Sequence, residues 1–426
     1  MTSERQVKRV LAITGCVAIA TLFMGSTLLT PLYTLYQRKF GFSELVLTLV
    51  YGAYLVGNLV ALLALGRISD QVGRRLITLT ALAAATVTTV LFIGAGGTYS
   101  LFCARALSGF AIGLGSSSVA AWLAEAYGPT KADRATQATV GSNMTGLAVG
   151  ALVAGCLAQY AAPPLLLPFL AYFPLLGVST LLAFWAPETV KHPKRRIGQL
   201  SLRPRIGVPR AIRRPFIGAA ATAFAVFSLA GFYFALVPSI LRDNLHVTNI
   251  AVGGAIVFEF GISGLATSIA TRMLKSRQAQ ILGLALLLPS LILLVLAQAQ
   301  ASLLLVLCGA VLSGAGAALG FRGSLQIVNE VAPADQRAEV ISSYLAVTYL
   351  SNSLPIIGIG VLSSFTSSFI AMIVFAALIA VVVSANLVAA VFAPPLEPLR
   401  ALATRSRALA HSDTPVRCAE SCPRQP

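Results

Sequence analysis

The sequence predicts an all-α membrane protein: twelve transmembrane helices in two pseudo-symmetric six-helix bundles. Three observations carry that expectation. Of 426 residues, 57% are hydrophobic and only 11% charged, against about 25% charged in a soluble domain, so the chain lacks polar surface for water. Its apolar residues gather into twelve runs, each of the ~20 residues that a membrane-crossing helix needs. The fourth and tenth runs also repeat one another at a constant spacing.

In order, the runs lie at roughly 11–33, 44–66, 76–96, 99–121, 138–160, 164–186, 215–240, 249–271, 279–298, 302–326, 339–361 and 369–392. The first follows Arg5, Lys8 and Arg9, as a secretion signal would. It is longer than the ~7–15-residue apolar region of such a signal and lacks a small-residue cleavage site, so it is expected to be retained as a helix. Residues 187–214 form a basic, proline-containing linker with nine Lys and Arg, part of which could lie as a short helix on the membrane surface. The expected organisation is therefore an amino-terminal bundle over 1–186, the linker over 187–214, a carboxy-terminal bundle over 215–392 and a polar tail over 393–426.

The repeat is read from non-apolar residues. Cys103, Ser108 and Glu125 in and after the fourth run match Cys308, Ser313 and Glu330 in and after the tenth, each at an offset of 205. Gly109 and Gly115 match Gly314 and Gly320 in the same register. Parallel six-helix repeats of this kind build one large transporter architecture, with the substrate site between the halves near the bilayer midplane.

Charge sets the expected orientation. With the amino end inside, 26 of the 31 Lys and Arg fall in inner segments and three in outer loops. Basic residues are retained on the cytoplasmic side, so the protein is expected in the cell inner (plasma) membrane, multi-pass, with both termini cytoplasmic. The net charge of +17 then reflects orientation and contact with anionic membrane lipids. No aromatic-interleaved basic groove suggests nucleic acid. Cys16, Cys103, Cys156 and Cys308 lie in apolar runs as small hydrophobes, and Cys418 and Cys422 lack partners for a zinc site, so no metal is expected. Absence of HExxH, GxSxG and CxxC argues against an enzyme, and absence of charge rings or a filter loop against a channel.

The link between the second and third runs, "GRISDQVGRR", carries the most specific local signal. Gly66, Asp70, Gly73, Arg74 and Arg75 resemble the loop signature G-x-x-x-D-R/K-x-G-R-R/K of the major facilitator superfamily, with Gln71 where a cation is usual. The resemblance spans about residues 10–392 and implies that family's fold. It also implies that Asp70 and its neighbours act as a conformational latch between the halves; a solvated turn that only fixes topology is the competing reading. Arg105, Gly109 and Gly113 resemble the family's fourth-helix motif R-x-x-x-G-x-x-x-G, which implies a part for Arg105 in proton coupling. Gly146, Gly150 and Gly155 in the fifth run partly match an exporter motif, although their spacing equally serves close helix packing.

Ionisable residues within a membrane are costly enough to be functional candidates. Glu259 stands about eleven residues into the eighth run, ~16 Å along a helix and so near the bilayer centre. It is the expected proton carrier; the alternatives are a carboxylate tied to arginine or backbone, or one in an intermittently wet cavity. Arg105 has an interfacial snorkelling alternative, and Arg322 is expected to be structural, reaching the headgroups. Tyr33, Tyr54 and Asn58, with Tyr233, Tyr344, Tyr349 and Asn352, are the candidate cavity lining. That set is aromatic and weakly charged, suiting a lipophilic or amphipathic solute. The expected function is proton-coupled export of a small organic molecule by a monomer without cofactor, driven by the proton gradient. Uptake of a small metabolite such as a sugar or organic acid is the alternative.

Overall fold

The computed structural model describes residues 2–65, 71–128, 131–190, 207–333 and 336–392. Among them no strand occurs, and fourteen α-helices carry the chain. They are α1 (Thr2–Thr27), α2 (Tyr33–Phe40), α3 (Glu44–Leu65), α4 (Arg74–Ile93), α5 (Thr98–Tyr127), α6 (Ala132–Tyr160) and α7 (Leu167–Trp185) in the first half. The second half has α8 (Arg213–Ala235), α9 (Val237–Asp243), α10 (Ile250–Ala270), α11 (Ser276–Ala299), α12 (Leu303–Val331), α13 (Arg337–Phe365) and α14 (Ser368–Phe392). Twelve are long and apolar enough to cross a membrane; α2 and α9 are short. The surface helix expected in the linker and the 393–426 tail lie outside the described residues.

The expected first and seventh runs were continuous to 33 and 240, and here the structure differs. Each long helix stops early, α1 at Thr27 and α8 at Ala235, and a short helix follows each one. Pro31 stands in the turn after α1, and Pro238 in the first turn of α9, where its missing N–H costs nothing. A hydropathy run registers apolarity and is blind to such a break.

Both described ends of the chain lie on one face, called here the terminal face; the opposite one is the distal face. The two halves repeat their packing. α1 packs on α5 and α6 as α8 packs on α12 and α13, and α3 packs on α5 as α10 packs on α12. The closest approaches repeat too. A Cβ at Gly109 of α5 would strike the Tyr54 carbonyl of α3, and one at Gly314 of α12 would strike the Phe260 carbonyl of α10. Only glycine lets backbones meet this closely.

The halves meet along two pseudo-equivalent seams, α3 against α13 and α6 against α10. Toward the distal face, Gly155 of α6 lies on Gly254 of α10, and Gly360 of α13 lies on Thr48 of α3. Side chains tie the same end. Arg242 donates through both Nη atoms to Gln37 Oε1 at 3.1 Å, Ser368 Oγ donates to Glu44 Oε2 at 2.9 Å, and Asn249 Nδ2 donates to the Tyr160 hydroxyl at 3.1 Å. The Gln37–Arg242 contact joins α2 to α9 across the two halves.

Candidate functional site

Between the halves, beneath the tied distal end, lies a cavity with about 90 Å³ open to the centres of water molecules, within some 810 Å³ not filled by protein atoms. One water needs ~10–15 Å³ on the first measure, so there is room for several waters or a compact organic molecule. Eight helices supply its wall. The first half contributes Phe23, Ser26, Tyr51, Tyr54, Arg105, Asn143 and Met144; the second contributes Phe227, Phe234, Phe260, Phe321, Tyr349 and Asn352. Two opposed sides result, one polar around Arg105 and one phenylalanine-rich.

Arg105 is positioned by α5, which Gly109 and Gly113 press against α3. Its side chain is 3% exposed and does not snorkel outward. It turns into the cavity wall, where Nη1 donates to the Ser26 carbonyl at 2.9 Å and the guanidinium lies 5.3 Å from the Tyr51 ring centroid and 5.1 Å from that of Tyr54. Both contacts fall within cation–π range. Nε is buried without a hydrogen-bond partner. The wall holds no acidic residue among the described ones.

The other expected lining residues divide. Tyr54, Tyr349 and Asn352 stand on the wall, and Asn352 Nδ2 donates to the Tyr51 hydroxyl across the α3–α13 seam at 3.0 Å. Tyr33, Asn58, Tyr233 and Tyr344 do not line it, which corrects that part of the expectation. Each tyrosine sits one ring behind the wall: Tyr33 edge-on to Tyr51, Tyr233 against Phe260, and Tyr344 stacked on Phe321. Asn58 is buried where Gly113 closes on it. The sequence reading missed the phenylalanine side altogether, because a phenylalanine facing a cavity and one facing lipid look alike in an apolar run.

Glu259 lies on α10 beside the wall residue Phe260, with its own side chain half-buried and off the wall. No ion pair ties it among the described residues, and Oε2 is buried without a hydrogen-bond partner. The Tyr233 hydroxyl, behind the wall residue Phe260, accepts from Ser313 Oγ at 3.3 Å. Arg322 is 5% exposed and remains within the bundle instead of reaching outward. Its Nη atoms donate to the Ser268 and Thr271 carbonyls at 3.2 and 2.9 Å, satisfying the end of α10.

Of the expected latch, Gly66 and Asp70 lie outside the described residues. Gly73 has φ of 126°, a conformation costly for residues with a Cβ. Behind it, Arg74 and Arg75 open α4, and their backbone N–H groups donate to the Glu188 carboxylate at 3.0 and 3.1 Å. A carboxylate at a helix N-terminus satisfies orphan donors and complements the dipole. The Arg74 side chain pairs with Glu125 at 2.8 Å, and Arg75 stacks over Phe184. These contacts join three helix ends within the amino-terminal half. Glu188 was not singled out from the sequence; its place just after the sixth run, beside proline, was the available signal.

Three comparisons bear on this arrangement. The family model described as Major Facilitator Superfamily matches residues 15–356. No curated protein sequence matches the chain. Among solved structures, similarity is found to one described as the crystal structure of a bacterial homologue of the human lysosomal transporter Spinster, inward-facing and unoccupied. The TM-score is 0.63 at 14% identity, with 95% of this chain and 97% of that chain covered. At such identity the likeness concerns the fold alone.

Proposed function

The chain belongs to the major facilitator superfamily, and on that premise we propose that it moves a small organic, lipophilic or amphipathic solute across the cytoplasmic membrane by alternating access, as a proton-coupled exporter. The observation that carries the proposal is the cavity between the halves, walled by both and roofed by contacts between them. A site shared by two rigid bundles is remade each time they rock, so one set of side chains serves both sides in turn. With the basic segments on the cytoplasmic side, the tied distal end is the outer one, and this state is read as closed to the outside.

Glu259 supports proton coupling in this reading. It is the one acid in the middle of a span, lacks a fixed cationic partner among the described residues, and so keeps the freedom to take up and release a proton. Its position beside the wall suits coupling through α10 better than direct contact with solute. The partial small-residue motif of α6 adds little, because Gly146 and Gly150 serve to seat α6 on the backbone of α1.

The test is flux in proteoliposomes. A carrier saturates and exchanges labelled for unlabelled solute in counterflow, and an imposed pH gradient drives net accumulation. Passage without saturation or counterflow would refute alternating access, and counterflow indifferent to a pH gradient would refute proton coupling.

A further inference from the structure

We infer that the cavity is built to bind an amphipathic organic monoanion, its carboxylate held by Arg105 and its apolar body laid on the phenylalanine side. The inference rests on the carrier reading above and sharpens its substrate class. Composition suggested a weakly charged cavity; the folded wall holds one full positive charge and, among the described residues, no negative one.

A buried guanidinium without a counter-ion is an expensive arrangement. Arg105 has five N–H donors in a rigid fork; of these, Nη1 is engaged by the Ser26 carbonyl and Nε is buried and unpartnered. Tyr51 and Tyr54 lie against it and lend cation–π attraction, which steadies the charge without neutralising it. Glu259 does not serve as the counter-ion, because it stands off the wall that holds Arg105 and its Oε2 is buried without a hydrogen-bond partner. A planar fork with unused donors matches a carboxylate. Because one cation stands alone, a monoanion is favoured over a phosphomonoester, which would bring a second negative charge. Asn143 stands on the same wall, and its amide Nδ2 can donate to a carboxylate headgroup.

The opposite side defines the rest of the ligand. Phe227 and Phe321 meet edge to face at 5.1 Å, as do Phe234 and Phe260 at 5.5 Å. They offer an apolar aromatic surface to a ring or short alkyl chain. The pseudo-equivalent of Arg105 in the second half is Ala310, so the cavity has one headgroup position and one orientation.

The test compares three probes with the same phenylbutyl skeleton on the purified full-length protein, the isosteric pair 4-phenylbutyrate and 4-phenylbutanamide and the cation 4-phenylbutylamine, with affinity read from ligand-dependent thermal stabilisation. The carboxylate is expected to bind about 10- to 100-fold more tightly than the amide, the range for hydrogen bonds to charged groups, and the amine most weakly. Arg105→Gln should abolish the preference of carboxylate over amide, and Arg105→Lys should retain part of it. No stabilisation by the carboxylate, equal binding of carboxylate and amide by the unaltered protein, or an undiminished preference in Arg105→Gln would each overturn the inference. The unaltered protein alone decides the first two outcomes should Arg105→Gln fold poorly. Counterflow separates the two proposals. Carboxylate preference without flux would sink the carrier reading and leave the anion site standing; saturable flux of neutral solutes without carboxylate preference would do the reverse.

Discussion

The distal seams make a prediction whose size follows from the geometry. At Gly254, an added methyl would lie 3.1 Å from the Ala151 carbonyl carbon and 3.2 Å from the Gly155 Cα, against a carbon–carbon optimum of roughly 3.5–4.0 Å. The Ala151 carbonyl oxygen lies closer still; all these atoms are backbone and cannot turn aside, so Gly254→Ala must part α6 from α10 by at least about 0.5 Å. Overpacking of this kind costs about 1–3 kcal/mol. The cost falls on the state in which the seam is shut and is relieved when the bundles rock apart at that end. At ~1.4 kcal/mol per tenfold, the balance should move about 5- to 150-fold toward the distal-open state. Gly360→Ala should act likewise, because its methyl would press on Thr48, which is fully buried. The assay is the labelling rate of a cysteine placed at Thr30 on the cavity wall, in a background without other cysteines, by an impermeant thiol reagent applied to the distal face. Gly177→Ala, where a methyl meets nothing within 4 Å, is the control. Unchanged labelling in a well-folded Gly254→Ala protein, or an equal rise in Gly177→Ala, would refute the claim that these seams form the gate.

Two further outcomes separate functional from structural charge. Glu259→Gln is expected to remove pH-gradient-driven accumulation while counterflow continues at near-normal rate, since the carboxyl stands off the wall; retained accumulation would exclude it from coupling. Arg322→Gln should lower stability by about 1–3 kcal/mol, as donors to two carbonyls at the end of α10 are lost, while the affinity for solute stays within twofold. A large loss of affinity at full stability would show Arg322 acting on the cavity instead.

The membrane setting decides what could be read in advance. Twelve helices were legible because a spanning segment must be apolar over its whole length, and Arg105 and Glu259 stood out because charge there is rare. The facing of aromatic residues was not legible. In a soluble helix, polar residues mark the outer side and a 3.6-residue period shows the inner one. Here lipid and protein both accept apolar side chains, so nothing in the sequence separates Tyr54 and Tyr349, on the wall, from Tyr33, Tyr233 and Tyr344, one layer behind. Phe227 and Phe321 were hidden for the same reason. The breaks before α2 and α9 were marked only by Pro31 and Pro238, whose similar spacing from the start of each half acquires meaning once the halves are superposed.

The correspondence between halves also locates where transport chemistry must reside. The frame is duplicated: Gly109 and Gly314 seat equivalent helices on equivalent carbonyls, and Gly155 and Gly360 close equivalent seams. Two bundles so alike give rocking no preferred solute and no link to an ion, because every contact made on one side has a counterpart on the other. The ionisable side chains break that equivalence. Arg105 in α5 faces the cavity where α12 has Ala310, and Glu259 in α10 follows the register that places Ala53 in α3. Cation and acid thus occupy different halves and different depths relative to the wall. An anion drawn to Arg105 and a proton taken by Glu259 would load separate bundles, and each would bias the same hinge from its own side. Coupling then needs no direct contact between solute and proton; it needs the two occupancies to favour different positions of one shared frame.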